Sequence, residues 1–345
     1  LVFVDGSFVP ALSELGAPTG LRAITLATAL QTDPGLVRDA LGKLALHDND
    51  AFRAINTAHL HDGILIHVAR GAVVDAPVHL LWVTTQPGVA THPRVLVRAE
   101  TGSDLTFVED HVSLVDEAYC VNAVTEIDVQ ANARVRHVRI QRESTRAFHI
   151  GSLAVRVARD ARYESTSIAF GARISRLNLA AEQAGEGASI TLNGLALIGE
   201  RQLADTHSFV DHAKPHGTSR QLHKLVAGGH AHGVFNGKIL VRQHAQQTDS
   251  AQESRNLLLS PRAHVDAKPQ LEIFADDVKA AHGATVGQLD AEHLFYLQSR
   301  GISVPEARNL LTFAFAAEVV DRIPIASVAR ALRQAVLDQT ETRGS

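Results

Sequence analysis

A short alternating strand recurs along this chain at a nearly fixed step, and few folds can use such a repeat. Ser103-Asp104-Leu105-Thr106-Phe107, Ala133-Arg134-Val135-Arg136-His137, Ala161-Arg162-Tyr163-Glu164-Ser165 and Ala188-Ser189-Ile190-Thr191-Leu192 follow one another at steps of 30, 28 and 27 residues. Each copy places a small or polar turn residue before an alternation of period two. One such unit cannot bury its apolar face alone, so the step predicts a solenoid whose coils stack around one continuous core. A β-sandwich is the alternative, but nothing in a sandwich enforces the period. Upstream, Ile64, Ile66 and Val68 alternate with Leu65, His67 and Ala69, and strand-like runs then follow without helical spacing. The expected architecture is mainly β, with a parallel β-helix over residues 64–287.

The flanks read differently. Asp33 before Pro34 is an N-cap candidate, and Leu36, Val37, Leu41, Leu44, Ala45 and Phe52 are spaced for one amphipathic helix over 34–58. This gives an N-terminal segment, 1–63. In the C-terminal segment, 288–345, Asp290 caps a short helix carrying Leu294, Phe295 and Leu297 that stops at Gly301. Ser303-Val304-Pro305-Glu306 reads as a capping box. The helix after it has two apolar stripes, Ala307/Leu310/Leu311/Ala314 and Phe313/Ala317/Val320. A surface helix needs one stripe, so the second predicts either a partner or burial within the chain itself. A last helix is expected over 325–337. The chain begins at Leu1 and holds no methionine in 345 residues, which predicts a piece of a longer protein.

Composition excludes several function classes. Charged residues are 20% and the net charge is −4, so nothing attracts the chain globally to nucleic acid or anionic lipid. No apolar run reaches the ~18 residues of a membrane helix and no signal-peptide pattern opens the chain, so a cytoplasmic protein is expected. Phosphate-loop, dinucleotide, nucleophile-elbow and HExxH motifs are all missing from the sequence. Cys120 is the single cysteine; in the alternating run Ala118-Tyr119-Cys120-Val121 it reads as a small buried apolar residue. One thiol cannot hold an iron–sulfur cluster alone.

Histidine is abundant, with 19 copies, seven of them (His207, His212, His216, His223, His230, His232 and His244) within 38 residues. A metal site among them is one reading, and His230 and His232 are spaced to share a strand face. Because strands send alternate residues to opposite faces, solvated and core histidines are the other reading, and the Gly-flanked His230 reads as a turn. His282, before Gly283, also reads as a turn residue.

The run KPQLEIFADDVKAAHGATVGQLDAEHLFYLQSRGI, residues 268–302, resembles the C-terminal signature of the SufB/SufD family of iron–sulfur cluster assembly proteins. SRQLHK at 219–224, FNGKI at 235–239 and FAFAAE at 313–318 are similar to the family as well. The run from His282 to Gly287 resembles the SufD branch more than the SufB branch. The resemblance implies a right-handed parallel β-helix with flanking helical segments and a shortened N-terminal helical region. It also implies a non-enzymatic scaffold: SufB pairs through the β-helix ends, and the SufC ATPase docks on the C-terminal helices. Candidate SufC contacts are Leu294, Phe295, Tyr296, Arg300, Phe313, Ala317 and Glu318. A transient iron–sulfur cluster is implied at the SufB junction, with His282 as the candidate ligand or proton carrier and a SufB cysteine completing the site. The family often carries a cysteine two residues earlier, where this chain has Ala280. A purely structural subunit without iron contact and a β-helix polysaccharide lyase or hydrolase are the alternative functions. Unpaired β-helix ends also allow a homodimer when SufB is absent.

Overall fold

The computed structural model describes residues 1–345 apart from 15, 17, 47–49 and 345, with backbone alone for 341–344. Two sheets run side by side along a parallel β-solenoid. In the first, Val78–Thr84, Asp104–Ser113, Arg134–Arg142, Arg162–Ala169, Ser189–Ile198, Thr218–Ala227, Thr248–Leu258 and Val278–Gly287 pair in that order. In the second the order is Ile64–Val68, Arg94–Ala99, Cys120–Val129, Phe148–Val157, Ile174–Gln183, Leu203–His212, His232–Val241 and His264–Ile273. The chain alternates between the sheets, so each coil contributes one strand to each.

The register matches the sequence period residue for residue. Asp104 lies opposite Arg134, Arg134 opposite Arg162, and Arg162 opposite Ser189. The ladder then continues through Thr218, Asp249 and Lys279, beyond the four copies evident in sequence. Two residues before each of the first six of these positions the backbone turns left-handed: Gly102, Asn132, Asp160, Gly187, His216 and Gln247 all have φ between 56° and 72°. Each of their N–H groups donates to a carbonyl of the following coil, as in Asn132 to Arg159 at 2.9 Å and His216 to Gln246 at 2.9 Å. One corner of the solenoid is thus a column of left-handed residues, a conformation that Gly, Asn and Asp adopt most cheaply. The next residue points inward in little space, which explains Ser103, Ala133, Ala161 and Ala188, all 2% exposed or less.

The lumen is apolar toward this corner, packed by Phe107, Ile127, Val135, Tyr163, Ile190 and Ile239. Both outer faces are covered in part. The C-terminal helices Val304–Val320 and Ala326–Gly344 lie on the first sheet, where Ala316, Val319, Val320, Leu332 and Val336 meet Val138, Ile168, Leu195 and Leu222. Leu26 and Val37, from the N-terminal helices Leu26–Thr32 and Pro34–Ala40, cover Leu65 and Leu96 of the second sheet.

The caps at Asp290 and Ser303/Glu306 form as expected. The single N-terminal helix over 34–58 does not. Pro34–Ala40, capped by Asp33, ends before Gly42 at φ 69°, and Asp50 caps a separate helix, Ala51–Ala58. Residues 47–49 of the expected span lie outside the described residues. The N-terminal segment also supplies strands: Val2–Val4 pairs parallel with Val78–Thr84, and Leu21–Thr25 antiparallel with Ile64–Val68. No helix among the described residues is long and apolar enough to cross a membrane.

Candidate functional site

The solenoid interior carries ionisable groups where strand alternation would place apolar ones. On one inward column Phe107, His137, Ser165, Leu192, Gln221, Gln252 and His282 stack coil upon coil. Beside it runs a second column of Glu109, Arg139, Ser167, Gly194, His223, Ser254 and Ala284. His137 approaches Glu109 through Nε2 at 2.9 Å and Tyr163 through Nδ1 at 3.0 Å, its ring stacked on Phe107 at 4.2 Å. His149 meets Glu143 at 2.6 Å and Arg139 at 2.5 Å, and Thr125 donates to Glu109 at 2.9 Å. Neighbouring backbone has had to make room: a Cβ on Gly151, on the opposite sheet, would stand 2.4 Å from Arg139 Nη2, and one on Gly194, next to His223 in the same column, would stand 2.5 Å from His223 Nδ1.

Burial works against charge on all these groups; neighbouring side chains outweigh it at the two carboxylates, and burial prevails at the histidines. Burial alone would raise the Glu109 carboxyl, but the imidazoles of His111 and His137 beside it, His137 at 2.9 Å, together with the Arg139 charge hold it below the usual carboxylate range. Glu143 is also buried and is likewise held low, by His149. His149 itself is pushed by burial down to about 4 against the pull of Glu143, and burial alone takes His223 to about 4. The interior therefore keeps two carboxylates balanced by Arg139 and hydrogen-bonded histidines.

At the C-terminal end the inward columns reach open solvent. His282 is not the turn residue its Gly neighbour suggested; it sits in the middle of the strand Val278–Gly287. It continues the inward column above Gln252, and it is exposed because no further coil covers it. Beneath this last strand the Gln252 amide, Ser250 Oγ and Asn256 Oδ1 are buried without a hydrogen-bond partner among the described residues. Ala280, two residues before His282, lies on the same strand. Exposed Phe274 and Val286 flank this end. The open end thus combines an imidazole, an unpaired strand edge and polar groups without partners.

The histidines between His207 and His244 do not converge. His207 faces out toward Asp205 at 2.9 Å, while His212 is buried against Ser219 at 2.9 Å. His216 takes the left-handed corner, His223 faces the lumen, and His230 and His244 are exposed outside the strands. Cys120 is half-buried rather than a core residue, because it takes the outward parity and lines a groove with Phe52, Ile55, His59, His92 and Asn122. Burial, with Glu143 nearby, raises its thiol, so it is no ready thiolate.

The candidate partner residues on the C-terminal helices divide by exposure. Phe295 and Tyr296 stand 72% and 57% exposed, and Arg300 stacks on Tyr296 with its guanidinium 5.2 Å from the ring. Leu294, Phe313, Ala317 and Glu318 are half-buried, with Phe313 packed against the core under the helix. Glu318 pairs with Lys224 of the solenoid, and Lys224 Nζ also donates to the Phe315 carbonyl at 2.9 Å.

Sequence reading missed the interior network. Its signal was Glu109, His137, Arg139 and His149 at the inward parity of the repeat, visible once the register of each copy is known.

Comparison with known proteins bears on this geometry. Residues 82–315 match the model described as "SUF system FeS cluster assembly, SufBD core domain", and residues 1–80 match the SufBD protein N-terminal region. An iron–sulfur cluster assembly SufBD family protein of Synechocystis sp. is 36% identical over 351 residues, covering 99% of this chain and 77% of that protein. The iron–sulfur cluster assembly protein SufD of Escherichia coli is 36% identical over 330 residues, covering 94% and 75%. SufD of Bacillus subtilis is 30% identical over 301 residues, covering 83% and 66%.

Proposed function

The chain belongs to the SufBD family of iron–sulfur cluster assembly proteins, and from that membership we propose that it is a SufD-type, non-enzymatic scaffold subunit. Its open solenoid end pairs with SufB, and a nascent cluster, the cargo of the system, is assembled at that junction. The observation that carries this reading is the position of His282: an exposed imidazole at the uncovered mouth of a polar lumen, on a strand whose outer edge is free to pair. Neutral imidazole can replace thiolate on iron, as in Rieske centres, or move a proton near neutral pH. Since one half-buried cysteine cannot hold a cluster, the thiolates come from the partner. Ligation shared between two chains makes the site labile, which suits a scaffold that releases its product.

SufC docks on the exposed part of the C-terminal helices, at Phe295, Tyr296 and Arg300, with Leu294, Phe313, Ala317 and Glu318 supporting that surface from their half-buried positions. Two substitutions separate the contacts. Val286→Asp at the open end weakens association with SufB and spares SufC, whereas Phe295→Asp does the reverse, because a carboxylate desolvated against an apolar partner is costly. Co-purification of the three subunits reads both. Undiminished SufB association by folded Val286→Asp would refute the placement of the junction.

A further inference from the structure

Two histidines on neighbouring coils and one carboxylate converge on the outer face of the second sheet, away from the lumen. His232 and His264 each open a strand, and the parallel register sets them directly opposite one another. The next residue of the second strand, Val265, is turned inward and 9% exposed, so both imidazoles stand outward with ring centroids 5.2 Å apart. Asp266, two residues after His264, shares that face by strand alternation. Its Oδ2 lies 2.8 Å from His232 Nε2 and its Oδ1 lies 3.0 Å from His264 Nε2. The three donor atoms all lie within 4.8 Å of one another. A sheet register, not a loop, fixes the spacing of the two rings.

We propose that His232, His264 and Asp266 form a surface site for a divalent first-row transition ion. Each imidazole now directs Nε2 at the carboxylate. An ion replaces the protons in those two contacts and takes one nitrogen from each ring at ~2.0–2.1 Å and one carboxylate oxygen at ~2.0–2.2 Å. Two imidazoles and one carboxylate suit Zn2+, Fe2+ or Co2+, and the lack of a thiolate disfavours Cu+. Three protein ligands on an exposed face leave positions open to water, so the ion exchanges freely. His264 belongs to the same final coil as His282, but the two lie on different sheets. The site therefore stands independently of the role proposed for His282.

The test uses the full chain and Co2+ alone, titrated anaerobically and followed by its visible d–d absorption, with Zn2+ competition by calorimetry. The wild-type chain is expected to bind one ion that His264→Ala and Asp266→Asn do not bind, or bind at least about tenfold more weakly. His282→Ala is expected to retain it, and so is His92→Ala, which removes the separate His59/His92 pair. All three site side chains are well exposed, so melting temperatures of the variants should match the wild type and separate binding from folding. Equal stoichiometry and affinity in wild type and His264→Ala would overturn the proposal, as would no Co2+ binding by the folded wild-type chain.

Discussion

The two ends of the solenoid are built to opposite specifications. At the start, the first-sheet edge is closed by Val2–Val4 and Ser7–Phe8, with Phe3 stacked on Trp82 at 3.9 Å. On the second sheet near that end, Arg94 and Glu126 form a fully buried pair. Glu126 also accepts from the backbone N–H groups of Gly42, Leu44 and Ala45 at 2.9–3.0 Å, tying down the N-terminal segment. At the far end the strand Val278–Gly287 is exposed along nearly its whole length, and beneath it Ser250 Oγ, the Gln252 amide and Asn256 Oδ1 have no hydrogen-bond partner among the described residues. The repeat is the same at both ends. The difference is one of cover: the chain's own N-terminal strands and the buried Arg94–Glu126 pair close the start, whereas the last strand keeps an unpaired edge.

The comparison breaks first at Glu126. Replacing it with Ala strands Arg94 and three backbone donors, and loss of one partner of a buried pair costs about 3–5 kcal/mol. Denaturant unfolding is expected to show that loss, and a variant within 1 kcal/mol of wild type, by the same ~3–5 kcal/mol standard, would deny the start its closed character.

Acid is expected to weaken the closed interior next. His212 and His223 are held by burial at about 4 from an ordinary 6.5, so between those values the unfolded chain binds protons that the folded chain refuses. Stability is then complete above pH 6.5 and falls as pH drops toward 4, by up to about 1.4 kcal/mol per unit for each group. Melting temperature across this window reads the slope, and a flat profile would mean that both rings titrate freely.

Lys224 tests the attachment of the C-terminal helices. Lys224→Ala removes the bond to the Phe315 carbonyl and the pair with Glu318, for an expected loss of about 1–3 kcal/mol. Hydrogen exchange should quicken across Val304–Val320 more than in the solenoid strands. The smallest effect belongs to the open end, where His282→Ala should change stability by no more than about 0.5 kcal/mol because nothing covers the ring.

Much of the solenoid was legible because its period is local: the small residues at 103, 133, 161 and 188 mark one corner, and the register follows them. The β-helix was expected to reach 287, but its period was not legible past residue 192, because the coils through Thr218, Asp249 and Lys279 have polar inward positions such as Gln221, Gln252 and Ser254, so alternation of apolar and polar is lost. The helix caps at Asp290 and Ser303 were legible because capping is chemistry within four residues. The break in the N-terminal helix was not, because Glu126, more than eighty residues away, holds the turn after Ala40. His282 was found through family resemblance, but its place at the end of the lumen depends on stacking that spacing alone does not reveal. The metal-ligating trio was out of reach for the same reason, since His232 meets His264 only through the coil step.

The central claim is that the open end is completed by a partner around His282. Its most direct test is the iron and sulfide content of an anaerobically reconstituted complex with SufB and SufC, measured for wild type and His282→Ala alongside the melting temperature. The account predicts an assembled complex of unchanged melting temperature with a clear loss of cluster. Full cluster content in the His282→Ala complex would contradict it.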